Sequence, residues 1–209
     1  MRSRILAFAS LGLGLALALS AAGCGGASVT PTQQKWATPP PVTLQAGSTY
    51  TADVATNYGS FTISLFAQQD PVTVNNFVFL AKNHFYAGDT FFRIIKTFMV
   101  QTGDPNNNGT GGPGYRFGDE LPPPQAYGPG IVAMANSGTN TNGSQFFVCT
   151  GKDCATLPPQ YTQLGKVTAG MDVVQKIAAI PVGPNPVMNN ETSLPKQDAH
   201  ITGITIHQG

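Results

Sequence analysis

Short apolar runs punctuated by glycine and proline dominate the chain from Tyr50 onward, and most are too short for anything but strands. Tyr50 to Thr56 and Gly59 to Phe66 are rich in Thr, Tyr, Phe and Ile, and Asn57-Tyr58-Gly59 between them reads as the turn of a hairpin. Strand-like runs return at Thr90 to Ile95, Phe98 to Thr102, Gly130 to Ala135, Phe146 to Cys149 and Ile201 to His207. Two segments change period. Asp70-Pro71 signals a helix start, an Asp cap before Pro at the first helical position, and Val74, Phe77, Val78 and Ala81 follow at helical spacing. Met171 to Ala179 carries a second stripe of Val173, Val174, Ile177 and Ala178. Many strands with two helices predict an antiparallel barrel capped by helices, and the pattern alone leaves a sandwich nearly as well supported.

The first residues read as an address. Arg2 and Arg4 precede an apolar run from Ile5 to Leu19, and Ser20-Ala21-Ala22-Gly23 places small residues directly before Cys24. A spanning helix is the competing reading, but an Ala/Gly-rich run of this length is at the lower edge of what crosses ~30 Å of hydrocarbon. Residues 1–23 are therefore expected to be a cleaved secretory signal. The cysteine after the small residues resembles the end of a bacterial lipoprotein signal, which implies that Cys24 becomes the acylated first residue, anchored by a lipid such as palmitate. Residues 24–48, rich in Gly, Ser, Thr, Pro and Gln, read as a flexible tether with little to bury apart from Trp36. Residues 49–209 suit one domain with a sizeable core. The expected location is outside the cytoplasm, on the bacterial cell membrane.

Charge narrows the choice of partner. Charged residues are only 10% of the chain and the formal net charge is +1, with no lysine-arginine cluster, so no nucleic-acid partner is expected. His84, His200 and His207 are scattered without ligand spacing, Ser144 is not in a G-x-S-x-G elbow, and the glycines of Gly109 to Gly114 lack the lysine of a phosphate loop. Neither a metal nor a cofactor is expected.

Two segments carry the chemistry: F-R-I-I-K-T-F-M-V-Q-T-G-D at Phe92 to Asp104, and N-S-G-T-N-T-N-G-S-Q-F-F at Asn136 to Phe147. They describe an apolar pocket overlooked by one fixed cation. Together they closely resemble the cyclophilin family of peptidyl-prolyl isomerases. V-N-N-F-V-F-L-A, G-T-G-G-P-G-Y, F-G-D-E, G-P-G-I-V-A-M-A-N and L-G-K-V also look like cyclophilin segments and follow in family order, over roughly Tyr50 to Ile206. The resemblance implies a closed, eight-stranded antiparallel β-barrel with a helix at each end. Such a barrel is filled with side chains, so the site belongs on its outer surface.

The reaction can be argued from the amide itself. Rotation about X-Pro meets a barrier of ~18 to 20 kcal/mol, and in the twisted state the lone pair localises on nitrogen. A cation that donates a hydrogen bond to that nitrogen favours the twisted state selectively. Arg93 is the expected donor, since a guanidinium stays charged at any working pH and its fork can be braced by Gln101. Phe98, Met99, Phe147 and Leu157 are expected to hold the proline ring, with Asn136 offering backbone groups to the peptide. By resemblance, Thr110, Ala135 and Gln145 line the neighbouring groove for preceding residues. Proline-containing polypeptides are the expected partners of a monomeric protein.

Taken singly, these residues have plainer explanations. A lone strand arginine commonly snorkels to solvent, and Phe98, Met99 and Phe147 would ordinarily be core; the family spacing changes that reading for the pocket set only. Phe77, Leu80, Ile131 and Val167 stay as core. At the rim, the tryptophan common in eukaryotic members is replaced by Thr156 and the pocket histidine by Tyr161, which is kept as a binding residue. The resemblance thus implies weak binding of cyclosporin. Export and acylation of Cys24 leave Cys149 and Cys154 as the only thiols that could pair. Two functions are carried: an isomerase that assists folding of exported proteins, and a non-catalytic proline-peptide-binding module or chaperone on the same scaffold.

Overall fold

The computed structural model describes residues 34–209. The expected signal segment, Cys24 and the inner part of the expected tether lie outside the described residues.

The hairpin anticipated at Asn57 forms: β1 (Tyr50–Thr56) and β2 (Gly59–Leu65) pair in continuous antiparallel register. Their burial alternates, with Ala52, Val54, Phe61 and Ile63 turned inward, as the two-residue period of a strand requires. The chain continues through α1 (Pro71–Lys82), β3 (Arg93–Ile95), β4 (Met99–Thr102), β5 (Ile131–Met134), β6 (Phe146–Cys149), β7 (Gln163–Ala169), α2 (Met171–Ala178), β8 (Val182–Asn185), β9 (Glu191–Pro195) and β10 (Ile201–Gln208). Eight of these strands make one sheet in the order β10-β1-β2-β7-β5-β6-β4-β3.

The expected closed barrel is corrected by that order. The sheet curls into an open half-barrel, because its edge strands β10 and β3 share no ladder. The segment ahead of β3 meets the start of β10 through an isolated Thr90–His200 bridge and hydrogen bonds from Gly88 N to Ile201 O, Ile201 N to Asp89 O and Phe91 N to Ala199 O, and β3 itself has just three residues to offer. A separate two-stranded hairpin, β8–β9, packs against β3 instead. No sequence pattern announced this hairpin: Gly-Pro-Asn-Pro and the flanking polar residues read as loop.

Both helices lay their apolar stripes on the main core, α1 through Val74, Phe77 and Leu80 and α2 through Val174 and Ile177. The start of α1 differs from expectation in its chemistry. Asp70 stands at the N-cap but makes no side-chain capping bond. Glu120 from a distant loop caps the helix, accepting from Val72 N at 3.0 Å and Thr73 N at 2.8 Å. Burial, with the Glu120 carboxylate nearby, pushes the Asp70 carboxyl up to about 7.

Residues 34–48, expected as the outer part of the tether, are laid along the domain. Trp36 packs edge-on against Phe79 with centroids 5.1 Å apart, and its backbone N–H donates to Pro113 O at 2.8 Å. Further on, Thr43 N donates to Asn75 Oδ1 at 2.8 Å and Asn75 Nδ2 to Pro41 O at 3.0 Å. Trp36 and Leu44, both packed on the main core, supply the burial that the segment's composition otherwise lacks.

Candidate active site

Strand register assembles the site. Arg93 on β3 lies opposite Gln101 on β4, Gln101 opposite Phe147 on β6, and Phe147 opposite Ala133 on β5. Residues paired across a sheet share a face, so these form one row on the outside of the curl. The alternate row, Ile94, Val100, Val148 and Val132, turns into the main core. One strand position therefore separates core from site.

A second, smaller apolar cluster underlies the outer face: Met99, Tyr127, Ile131, Ala133, Phe147, Cys149 and Cys154, with Phe98, Ala135, Leu157 and Tyr161 packed on it. Ile131, expected in the core, belongs to this cluster, whereas Phe77, Leu80 and Val167 join the main one. Met99 and Phe147 are 1% and 5% exposed, so they form a floor, while Phe98 and Leu157 remain partly open above it. The Phe147 ring meets Phe98 at 6.5 Å and Tyr161 edge-on at 5.8 Å. Tyr161 is itself held by Tyr127, whose hydroxyl donates to Tyr161 O at 2.6 Å and accepts from Tyr161 N at 3.0 Å. Cys149 and Cys154 are joined in a disulfide with Cα atoms 5.8 Å apart. That link ties the end of β6 to the 3-10 turn Lys152–Thr156, from which Leu157 emerges.

The polar half of the site is a relay. Arg93 Nη1 donates to Gln101 Oε1 at 3.2 Å, Gln101 Nε2 to Gln145 Oε1 at 3.0 Å, and Gln145 Nε2 to the carbonyls of Gly109 and Gly111 at 3.1 and 2.9 Å. Gln101 is thus locked at both ends of its amide. Asp104 shapes the loop beyond, accepting from Asn106 N and Asn108 N, and Gly111 passes so close to Asp104 Oδ1 that no Cβ fits between them. Asn136 donates from Nδ2 to Gln160 O at 3.1 Å, which pins the groove wall at that position. Thr110 and Ala135 line the same groove, of about 1100 Å³, so every candidate binding residue from Arg93 to Tyr161 faces one space. Thr156 does not line it: its hydroxyl donates back to Asp153 O at 2.7 Å.

Several participants were not legible in the sequence. Glu191 on β9 forms a two-point ion pair with Arg93, at 2.7 Å to Nε and 2.9 Å to Nη2. The Arg93 guanidinium and a Ser193 hydrogen bond hold the Glu191 carboxyl below the usual carboxylate range, against the opposing effect of partial burial. Val187, Met188, Lys35 and Arg116 also line the groove. An isolated glutamate in Asn-Asn-Glu-Thr carries no local signal, and its 98-residue separation from Arg93 hides the pairing.

This arrangement can seat a small ring on the aromatic and thioether floor while a fixed guanidinium stands beside it. Comparisons with known proteins agree. The family of cyclophilin type peptidyl-prolyl cis-trans isomerases/CLD matches residues 51–206. Peptidyl-prolyl cis-trans isomerase-like 3 of Homo sapiens is 42% identical over 156 residues, covering 73% of this chain and 92% of its own. Peptidyl-prolyl cis-trans isomerase B of Streptomyces anulatus is 40% identical over 173 residues, covering 74% and 95%. Among solved structures, a cyclophilin type isomerase of Cryptosporidium parvum superposes with a TM-score of 0.68 at 32% identity, over 76% of this chain and 98% of that one. With the family matched over residues 51–206 and relatives matched over almost their full length, the chain belongs to the cyclophilin-type peptidyl-prolyl cis-trans isomerases.

Proposed function

We propose that this isomerase works by holding a proline ring on Met99 and Phe147, between Phe98, Leu157 and Tyr161, while Arg93 donates to the prolyl nitrogen of the twisted amide. The planar amide has little density at nitrogen to accept such a bond, so the interaction lowers the barrier without tightening the ground state. The observation that supports this most directly is the register row that sets Arg93, Gln101 and Phe147 side by side on one open face. Exchange spectroscopy on an Ala-Pro peptide tests it: Arg93→Ala should keep the fold and lose roughly a hundredfold in kcat, as for loss of one preorganised donor elsewhere. Lysine should rescue poorly, since it lacks the rigid fork. Activity within about threefold of wild type would sink the mechanism. Binding of proline peptides without acceleration would favour a non-catalytic binding module.

The proposed setting is the outside of a bacterial membrane, with exported chains as clients and Cys24 as the acylated first residue. The support is the run of small residues before Cys24 and the positive, then apolar, stretch ahead of it. Membrane partitioning should be lost on Cys24→Ser, and an unmodified N-terminus at Ala27 or later, seen by mass spectrometry, would refute the anchor. Cyclosporin should bind weakly, because Thr156 turns its only hydroxyl away from the groove. If Thr156→Trp failed to tighten inhibition, that reading of the rim would be wrong.

A further inference from the structure

The Arg93 fork is gripped more firmly than a strand register alone requires. A guanidinium has five N–H donors. Three are used here: Nε and Nη2 each donate to Glu191, and Nη1 to Gln101. The plane of the guanidinium is thereby fixed from two sides, by a carboxylate on one and an amide on the other. Glu191 is not a surface residue that happens to reach across. It stands on a hairpin pinned to the strand it serves: Asn185, fully buried, donates from Nδ2 to Phe92 O, the carbonyl immediately before Arg93, and to Ser193 Oγ. Asn189 and Asn190 take left-handed conformations at φ 52° and 60°, and Asn190 N donates to Asn185 O, closing the turn directly ahead of Glu191.

We infer that Glu191 is a positioning residue for the reaction: it presents the two remaining N–H groups of Arg93 to the prolyl nitrogen and prevents the guanidinium from rotating away during amide twisting. The inference rests on Arg93 acting as proposed above. A bidentate carboxylate suits the task because two parallel charge-assisted bonds fix orientation as well as distance. The alternative consequence of the same ion pair, that the carboxylate merely damps the charge of Arg93, has the opposite sign in kinetics.

The test uses exchange spectroscopy on an Ala-Pro peptide with the full chain. Glu191→Ala should lower kcat about tenfold with KM within about twofold, since orientation is needed in the twisted state and the ring pocket is untouched. Glu191→Gln, which keeps the shape but offers one acceptor oxygen, should lose less, about threefold. In an Arg93→Ala background, Glu191→Ala should change nothing further. The Arg93 Nε–Hε resonance should be sharp and slow to exchange in wild type, and broadened in Glu191→Gln even if Glu191→Ala folds poorly. A kcat that is unchanged or raised in both Glu191 variants, while Arg93→Ala is inactive, would overturn the positioning role and leave the Arg93 mechanism standing. An active Arg93→Ala would remove the mechanism itself.

Discussion

Asp89 shows what a single buried carboxyl can do to this fold. It is fully buried, and neither oxygen has a hydrogen-bond partner among the described residues. Burial, with Asp104 nearby, pushes its carboxyl up to about 8. A folded-state value above the unfolded one means that the folded protein holds this proton longer. The associated stability is complete below the unfolded value near 3.8 and is lost progressively as pH rises to about 8. Wild-type Tm should therefore fall between pH 5 and 9, and Asp70, pushed up to about 7, adds a slope of the same sign. Asp89→Asn should flatten the profile and gain most at pH 9. Parallel Tm curves for variant and wild type, measured by calorimetry across that range, would show that Asp89 does not carry the effect.

At the scale of elements, α1 separates what a local motif promises from what a fold supplies. Asp70-Pro71 marks the helix start correctly, because Pro at the first helical position is favoured whatever follows. Capping, however, went to Glu120, whose two oxygens reach the N–H groups of Val72 and Thr73 from 48 and 47 residues away. Its negative charge also sits at the positive end of the helix. Glu120→Ala should cost about 1 to 2 kcal/mol in thermal or urea unfolding, the range for losing a cap. Asp70→Ala should cost less, since no capping bond is lost and an unpartnered buried oxygen is removed. The reverse order of destabilisation would mean that Asp70 caps in solution. The β3 and β4 strands were found from their apolar residues for the same local reason, whereas β8–β9, with prolines and polar side chains, was not.

The whole molecule is tied together by contacts that span it. Trp36, the only tryptophan, sits against Phe79 and Phe85 with centroids at 5.1 and 6.0 Å. Its fluorescence should report unfolding of the domain, with emission shifting to the red in the same transition seen by circular dichroism. Trp36→Ala should destabilise by about 1 to 2 kcal/mol, less than for a fully buried aromatic because Trp36 is partly exposed. Emission already at the position of free indole in the native protein would mean that residues 34–48 do not dock.

By itself the sequence determined the elements that rest on near neighbours and a set of residues, from Arg93 to Tyr161, that line one groove. Alternation sets Arg93 and Gln101 on one face and Ile94 and Val100 on the other, so the site's composition could be written from two short segments and a family resemblance. Tertiary structure alone decided how far the sheet closes, which carboxylate caps α1, where Trp36 rests and which partner grips Arg93. Each of those depends on groups at least 43 residues apart, the separation of Trp36 from Phe79, and Arg93 and Glu191 are 98 apart. Charge pairing and ring packing over such separations leave no period or spacing along the chain, because they are satisfied only when the folded surfaces meet.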